Sequence, residues 1–129
     1  MAKTALQMVM EASAQIGHVT PAEAQAEIAA GSATVLDIRE PTEWEHHIAG
    51  AVQVPRGLLE AAADPSSPRH LPALDPTRRV IVYCRSGARA ALAGATLKEL
   101  GYEDVANLDG GITAWKDAGL PITEHHEGM

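Results

Sequence analysis

Cys84, the only cysteine among 129 residues, opens a short loop that carries two arginines. Residues 79–83 are mostly apolar, Cys84-Arg85-Ser86-Gly87-Ala88-Arg89 follows them, and an alanine-rich segment continues to residue 100. This order predicts a strand, a tight loop and a helix. The first amides of a helix have no intrahelical partner, so these amides and two guanidinium groups would stabilise an anion, including a cysteine thiolate. The pattern therefore predicts a nucleophilic Cys84 in an anion-binding loop whose amides come from residues 85–89.

The residues around Cys84 decide between two interpretations of this cysteine. An isolated cysteine at a strand end is often structural, because a free thiol packs as a small hydrophobic group. Here Gly87 permits a backbone conformation that a side chain would resist, and two cations flank the loop, which favours the nucleophile. We predict that Arg85 reaches the mouth of the site and that Arg89 closes the loop on the first helical turn. An ordinary surface arginine is the alternative for each.

The composition narrows the classes of protein that fit this chain. Apolar residues make up 46%, enough for one domain with a core, and the formal net charge of −7 argues against nucleic acid and anionic membranes as partners. A single cysteine excludes an internal disulfide, a multi-cysteine metal site and a resolving thiol, so any covalent intermediate must pass to an external acceptor. The chain lacks an apolar run long enough to span a membrane and a clear signal peptide. We therefore expect a cytoplasmic protein, because reducing conditions there would keep Cys84 available.

Helical and strand patterns alternate along the chain. Helices are predicted at residues 4–16, 21–30, 41–46, 88–100 and 112–118, and strands at 34–38, 51–54, 79–83 and 105–108. Residues 64–76 hold half of the prolines and are predicted to form an extended surface loop. This alternation predicts an α/β fold with a mostly parallel sheet and helices on both faces. Ligands bind beyond the carboxyl ends of such strands, where Cys84 and the residues after Leu36 and Leu108 would lie.

Four motifs, in this order, resemble a single-domain rhodanese, a member of a sulfurtransferase family. They are Leu36-Asp37-Ile38-Arg39-Glu40, His47-Ile48-Ala49-Gly50-Ala51, Cys84-Arg85-Ser86-Gly87-Ala88-Arg89, and Leu108-Asp109-Gly110-Gly111 with Trp115, Gly119 and Pro121. The resemblance implies a three-layer rhodanese-like domain at residues 18–123. A helical extension at residues 1–17 and a tail at residues 124–129 would flank it. The amphipathic pattern of the extension favours packing on the domain, and a partner surface is the alternative.

The resemblance also implies a reaction. The Cys84 thiolate would take a sulfane sulfur from a donor, become a persulfide and pass the sulfur to a thiophilic acceptor, such as a thiol or cyanide. The cationic loop resembles the type that takes thiosulfate or a persulfide as the donor. Arg85, Ser86, Gly87, Ala88 and Arg89 would bind this small anionic donor, while Asp37 and Arg39 would support the loop or form a local salt bridge. No metal ion and no organic cofactor is expected.

Two other functions remain open from the sequence. Certain phosphatases and arsenate reductases share the rhodanese scaffold, but their loop is typically one residue longer between the cysteine and the arginine. Only four residues separate Cys84 from Arg89, which suits attack on a terminal sulfur better than binding of a tetrahedral phosphate. A sulfur carrier or regulatory binding module that acts on a protein partner is the second alternative. The N-terminal helix and the loop at residues 64–76 are the places where such a partner could bind.

Overall fold

The central sheet contains five parallel strands in the order β1-β6-β5-β2-β4. The computed structural model describes residues 2–124. The strands are β1 Gly17–Val19, β2 Thr34–Asp37, β3 His46–His47, β4 Val52–Gln53, β5 Val80–Tyr83, β6 Val105–Leu108 and β7 Thr123–Glu124. The helices are α1 Ala5–Ser13, α2 Pro21–Ala30, α3 Leu59–Ala63, α4 Ala88–Glu99 and α5 Gly111–Asp117, with 3-10 turns at Pro41–Glu43 and Arg56–Leu58. The predicted parallel α/β architecture is thus confirmed.

Strand β5 lies in the middle of the sheet because all four of its residues are apolar and can be buried on both faces. Its side chains alternate between two cores. Val80 and Val82 pack with α3 and α4, whereas Ile81 and Tyr83 pack with α2 and α5. Cys84 continues this alternation and lies in the core on the α3 and α4 face. Helices therefore cover both faces of the sheet, as the sequence predicts.

Helix α1 packs against α4 rather than standing apart from the domain. Thr4 caps it, since the Thr4 side chain accepts a hydrogen bond from the Gln7 amide and the Gln7 side chain accepts one from the Thr4 amide. The segment after α1 also approaches α4 closely, since a Cβ added at Gly94 of α4 would lie 2.7 Å from the Ile16 Cδ1. The exposed side of α1 nevertheless carries apolar residues, namely Leu6, Met8 and Met10.

None of the helices within residues 2–124 is long and apolar enough to cross a membrane.

The predicted helix at residues 41–46 is wrong beyond its first turn. Only Pro41–Glu43 is helical, as one 3-10 turn, and His46 and His47 form β3, which pairs antiparallel with β7. The His46 carbonyl accepts a hydrogen bond from the Arg39 guanidinium, which holds this segment extended. The structure also contains β1 and α3, which the sequence patterns did not predict. Residues 64–76 contain neither helix nor strand, and 125–129 of the predicted tail lie outside the described residues.

Candidate active site

The thiol of Cys84 lies at the start of α4 and accepts hydrogen bonds from two backbone amides. Cys84 follows the last residue of β5 and is only 1% exposed. The amide of Gly87 donates to its Sγ at 3.1 Å, and the amide of Ala90 donates at 3.3 Å. Gly87 has a φ of 119°, a conformation that side-chain-bearing residues rarely adopt. The loop can therefore stabilise negative charge on the sulfur with backbone groups alone.

The other side of the loop is held by the amino terminus of α5. The amide of Ile112 donates to the Cys84 carbonyl at 2.9 Å, and the amide of Thr113 donates to the Arg85 carbonyl at 3.1 Å. Gly111 makes this docking possible: a Cβ there would lie 2.5 Å from the Cys84 and Arg85 carbonyl oxygens. The second glycine of the Asp109-Gly110-Gly111 turn is thus required by close backbone approach.

The two arginines of the loop lie in different environments. Arg89 forms a bidentate ion pair with Glu43, with N–O distances of 2.8 and 2.9 Å. Hydrogen bonding from Arg89 lowers the pKa of Glu43 to about 2, and the same pair raises the pKa of Arg89. Arg85 is exposed, and its guanidinium forms no ion pair with any residue in 2–124. Arg89 therefore ties the loop to the turn after β2, while Arg85 is available to an incoming anion.

The remaining loop residues and the supporting pair occupy distinct positions. Ser86 and Ala88 are exposed at the rim of the loop, whereas Gly87 is buried beneath it. Asp37 and Arg39 are 0% and 4% exposed and form a bidentate ion pair at 2.9 and 3.0 Å. The local salt bridge considered for this pair is therefore present in the structure.

Tyr83 completes a buried polar network around Asp37. Its hydroxyl donates to the Asp37 carboxylate at 2.9 Å and accepts from the Ile48 amide at 3.2 Å. Burial, together with the Asp37 charge, raises the pKa of Tyr83 above its ordinary value. Since Asp37 pairs in register with Tyr83, this network lies on the face of the sheet opposite to the core that contains Cys84. The hydrogen bonds of this network reach the His46 carbonyl and the Ile48 amide, so it holds the segment that follows β2.

Sequence reasoning missed two residues of the site. Glu43 is one of several acidic residues after β2, and its pairing with Arg89 could not be read from spacing. Asn107, in β6, donates through Nδ2 to the Gly87 carbonyl at 3.1 Å. A polar residue inside the apolar run 105–108 was the available signal.

The residues from 2 to 124 contain no cluster of three or more histidine, cysteine or acidic side chains suited to a metal ion.

A cysteine held by helix-terminal amides at the end of a central parallel strand, with α5 docked on its loop, defines a rhodanese-like site. Comparison with known proteins agrees. Residues 20–118 match the rhodanese-like domain family, and the chain belongs to this family. A sulfurtransferase from Allochromatium vinosum is 42% identical over 89 residues, which cover 68% of this chain and 76% of that protein.

Other similar proteins are more varied. A probable adenylyltransferase/sulfurtransferase, MoeZ, from Mycobacterium tuberculosis is 35% identical over 99 residues, which cover 75% of this chain but only 24% of MoeZ. The chain is also similar to parts of a putative sulfur carrier from Bacillus subtilis and a tRNA uridine(34) hydroxylase from Chlamydia muridarum, each 33% identical. A Rhodopseudomonas palustris structure, described as a protein of unknown function and possible tyrosine phosphatase, has a TM-score of 0.88 at 35% identity and covers 95% of this chain and 96% of its own.

Proposed function

We propose that the protein is a sulfurtransferase in which Cys84 carries the transferred sulfur as a persulfide. The observation that carries this proposal is the Cys84 sulfur at the start of α4, with the amides of Gly87 and Ala90 directed at it. The thiolate attacks the outer sulfur of thiosulfate, a new S–S bond forms at Cys84, and the S–S bond of the donor breaks. Sulfite leaves with the electron pair of that bond. No proton, metal ion or organic cofactor enters this step.

The loop residues have different roles in binding the anionic donor. Arg85 and the exposed Ser86 and Ala88 form the rim that the donor meets first, with Arg85 supplying the attractive charge. Arg89 is engaged by Glu43, so it acts mainly by bracing the loop. The amides of the loop then stabilise the negative sulfur before and after the transfer.

An external nucleophile completes the cycle, since the chain has no second cysteine. Cyanide attacks the terminal sulfur of the persulfide, the persulfide S–S bond breaks, and thiocyanate leaves while Cys84 returns as a thiolate. A thiol acceptor carries the sulfur away in the same manner. The two half-reactions share one intermediate and predict ping-pong kinetics. We place this cycle in the cytoplasm, because a reducing compartment keeps Cys84 available for reaction.

The first test is thiocyanate formation from thiosulfate and cyanide, together with mass spectrometry of the protein after exposure to thiosulfate alone. We expect turnover and one added sulfur in the wild type and neither in Cys84→Ser. Ser32→Ala, which alters a serine at the far end of α2, is the control and keeps both signals. Turnover that persists in Cys84→Ser, or a wild-type protein without an adduct, refutes the proposed persulfide.

Delivery of the sulfur to a protein is a second candidate role, and one surface feature favours it. A groove that encloses a cavity of about 180 Å³ lies just beyond the carboxyl end of β4. Its lining includes the exposed Leu58 and Leu71, together with Arg69 from the proline-rich loop. Strand β4 is two strands from β5, so the groove begins roughly 10 Å from the end of β5. We propose that it receives an apolar side chain of an acidic protein acceptor, whose carboxylate pairs with Arg69.

This role predicts that groove variants distinguish between acceptors. Arg69→Glu should lower the rate of transfer to an acidic thiol peptide that contains leucine, aspartate and cysteine, and leave transfer to cyanide unchanged. Arg78→Glu, on the surface near the end of α2, is the control for a reversed charge elsewhere. Equal rates with this peptide for Arg69→Glu and the wild type would remove the groove from the proposal.

Phosphatase activity is the remaining candidate, because the similar Rhodopseudomonas structure is described as a possible tyrosine phosphatase. Four residues between Cys84 and Arg89 make a tight loop, and Glu43 occupies both terminal nitrogens of Arg89. The charge of Arg89 is therefore already compensated by a carboxylate, which makes it a weaker ligand for the dianion of a phosphate ester. We therefore expect no Cys84-dependent hydrolysis of p-nitrophenyl phosphate, and such hydrolysis would favour the phosphatase.

A further inference from the structure

Asn107 places a polar side chain in a strand that is otherwise apolar at every buried position. It is 5% exposed, and its neighbours Val105, Ala106 and Leu108 are buried. Its Nδ2 donates to the Gly87 carbonyl at 3.1 Å, but its Oδ1 is buried without a partner among residues 2–124. A buried amide with an unpaired oxygen costs stability. Stability alone therefore does not explain why asparagine occupies this position.

The Gly87 backbone is held from both sides. Its N–H donates to the Cys84 Sγ at 3.1 Å, and its carbonyl accepts from Asn107 Nδ2 and from the Ala91 amide at 3.0 Å. These bonds fix the peptide groups on both sides of the Gly87 Cα, at φ 119° and ψ −19°. A glycine residue does not by itself prefer this conformation over others. Contacts with neighbouring residues must therefore select it.

We infer that Asn107 is a positioning residue for sulfur transfer: it holds Gly87 so that its amide is directed at the Cys84 sulfur. The inference rests on the proposed function and adds to it a residue that contacts neither the sulfur nor the donor. Without the Asn107 bond, only the Ala91 amide holds the Gly87 carbonyl, so the Gly87 peptide groups can tilt and the Gly87 amide points less directly at Sγ. Misplacement of a reacting group by about 1 Å can lower a rate by about a hundredfold.

The test compares Asn107→Val with Tyr102→Phe. Valine favours a strand and removes both the donor and the unpaired oxygen. Tyr102 is a matched control, because its hydroxyl also donates to a buried carbonyl, that of Ala63, at 2.8 Å and away from the Cys84 loop. We expect Asn107→Val to keep or raise the melting temperature and to lower kcat/KM for thiosulfate at least tenfold. Tyr102→Phe should lower the melting temperature and keep kcat/KM within about twofold of the wild type.

Two further measurements separate positioning from a general structural effect. The rate of Cys84 alkylation by iodoacetamide should fall with kcat/KM in Asn107→Val, and the Gly87 amide resonance should move in its NMR spectrum. Wild-type transfer and alkylation rates in Asn107→Val would overturn the inference, as would lowered rates with an unchanged Gly87 resonance. Because alkylation and NMR do not require turnover, they test Asn107 even if the wild type fails to transfer sulfur and the proposed function falls.

If the valine variant folds poorly, Asn107→Asp provides a second test of the inference. A protonated aspartic acid can donate to the Gly87 carbonyl, whereas the ionised carboxylate can only repel it. The alkylation rate of Asn107→Asp relative to the wild type should therefore rise as pH falls from about 8 to about 5, measured where both proteins are folded. A ratio that does not change with pH contradicts the inference.

Discussion

Replacing Glu43 by glutamine tests whether the Arg89–Glu43 pair secures the active-site loop. Glutamine keeps the shape of the side chain and removes the charge that Arg89 pairs with. At 1.36 kcal/mol per pKa unit, the fall from 4.5 to about 2 sets an upper bound of about 3 kcal/mol on the contribution of this carboxylate to folding at neutral pH. Glu43 is 29% and Arg89 39% exposed, so solvent screening reduces this value. We expect Glu43→Gln to lower the free energy of unfolding by about 1–2 kcal/mol at pH 7.

The pH dependence of this difference identifies its cause. The pKa of Glu43 is lower in the folded protein than in the unfolded chain, so its contribution is present above about pH 4.5 and is lost as pH falls toward about 2. Glutamine resembles the protonated glutamic acid, and the two proteins should therefore approach equal stability at about pH 2. Urea unfolding monitored by Trp fluorescence at several pH values measures this convergence.

Glu60→Gln is the matched control for the Glu43 experiment. Glu60 also pairs with an arginine, Arg56, but its side chain is 56% exposed and the pair spans one helical turn. An exposed pair of this kind contributes about 0.3–0.5 kcal/mol. If Glu43→Gln costs no more than Glu60→Gln at pH 7, or if its cost is the same at every pH, then the ion pair does not secure the loop and our reasoning about Arg89 is wrong.

Three other substitutions test separate parts of the structure. Arg85→Ala should raise KM for thiosulfate about tenfold and leave the melting temperature unchanged, since its guanidinium is exposed. Gly111→Ala should lower the free energy of unfolding by several kcal/mol in urea, because its Cβ would lie 2.5 Å from the loop backbone. The control Gly119→Ala, with open space around it, should lower the free energy of unfolding by roughly 1 kcal/mol. Hydrogen bonding to the Ser13 carbonyl raises the pKa of His18. His18 therefore contributes stability below about pH 6.5, and this contribution is lost as pH rises through the pKa of the folded protein. We expect His18→Gln to abolish this pH dependence of the free energy of unfolding in urea.

The central part of the site could be predicted because its signals are local. Val80–Tyr83, the loop from Cys84 and helix α4 are contiguous, and each element carries its own pattern: an apolar run, a glycine with basic neighbours, and a run of alanines. The capping box at Thr20 and Glu23 likewise fixed the start of α2, and Gly31 its end. Local patterns of this kind specify where elements begin and end, and the alternation of elements then specifies a parallel sheet.

The contacts that complete the site could not be predicted because they join distant parts of the chain. Glu43 meets Arg89 across 46 positions, and Asn107 meets Gly87 across 20. The turn after β2 illustrates the same limit, since Pro41 begins a helical turn that the pairing of His46 with Glu124 prevents from continuing. Residue types alone do not determine such pairings, which depend on how the strands are ordered in the sheet.

The sequence already predicts different positions for the two arginines, Arg85 at the mouth of the site and Arg89 on the first helical turn, although it predicts that both bind the donor. Positive charge beside Cys84 could bind the donor or hold the loop, and Arg89 directs one N–H of each terminal nitrogen at the Glu43 carboxylate. Glu43 pairs with Arg89, which leaves Arg85 as the loop arginine without an ion pair among residues 2–124, in a protein whose net charge is −7. The sulfur itself is held by backbone amides, whose direction depends on Gly87 and the contacts around it. In the proposed reaction, attraction of the donor and stabilisation of the reacting sulfur rest on different residues, so we expect substitutions at Arg85 to act on KM and substitutions that disturb Gly87 to act on kcat.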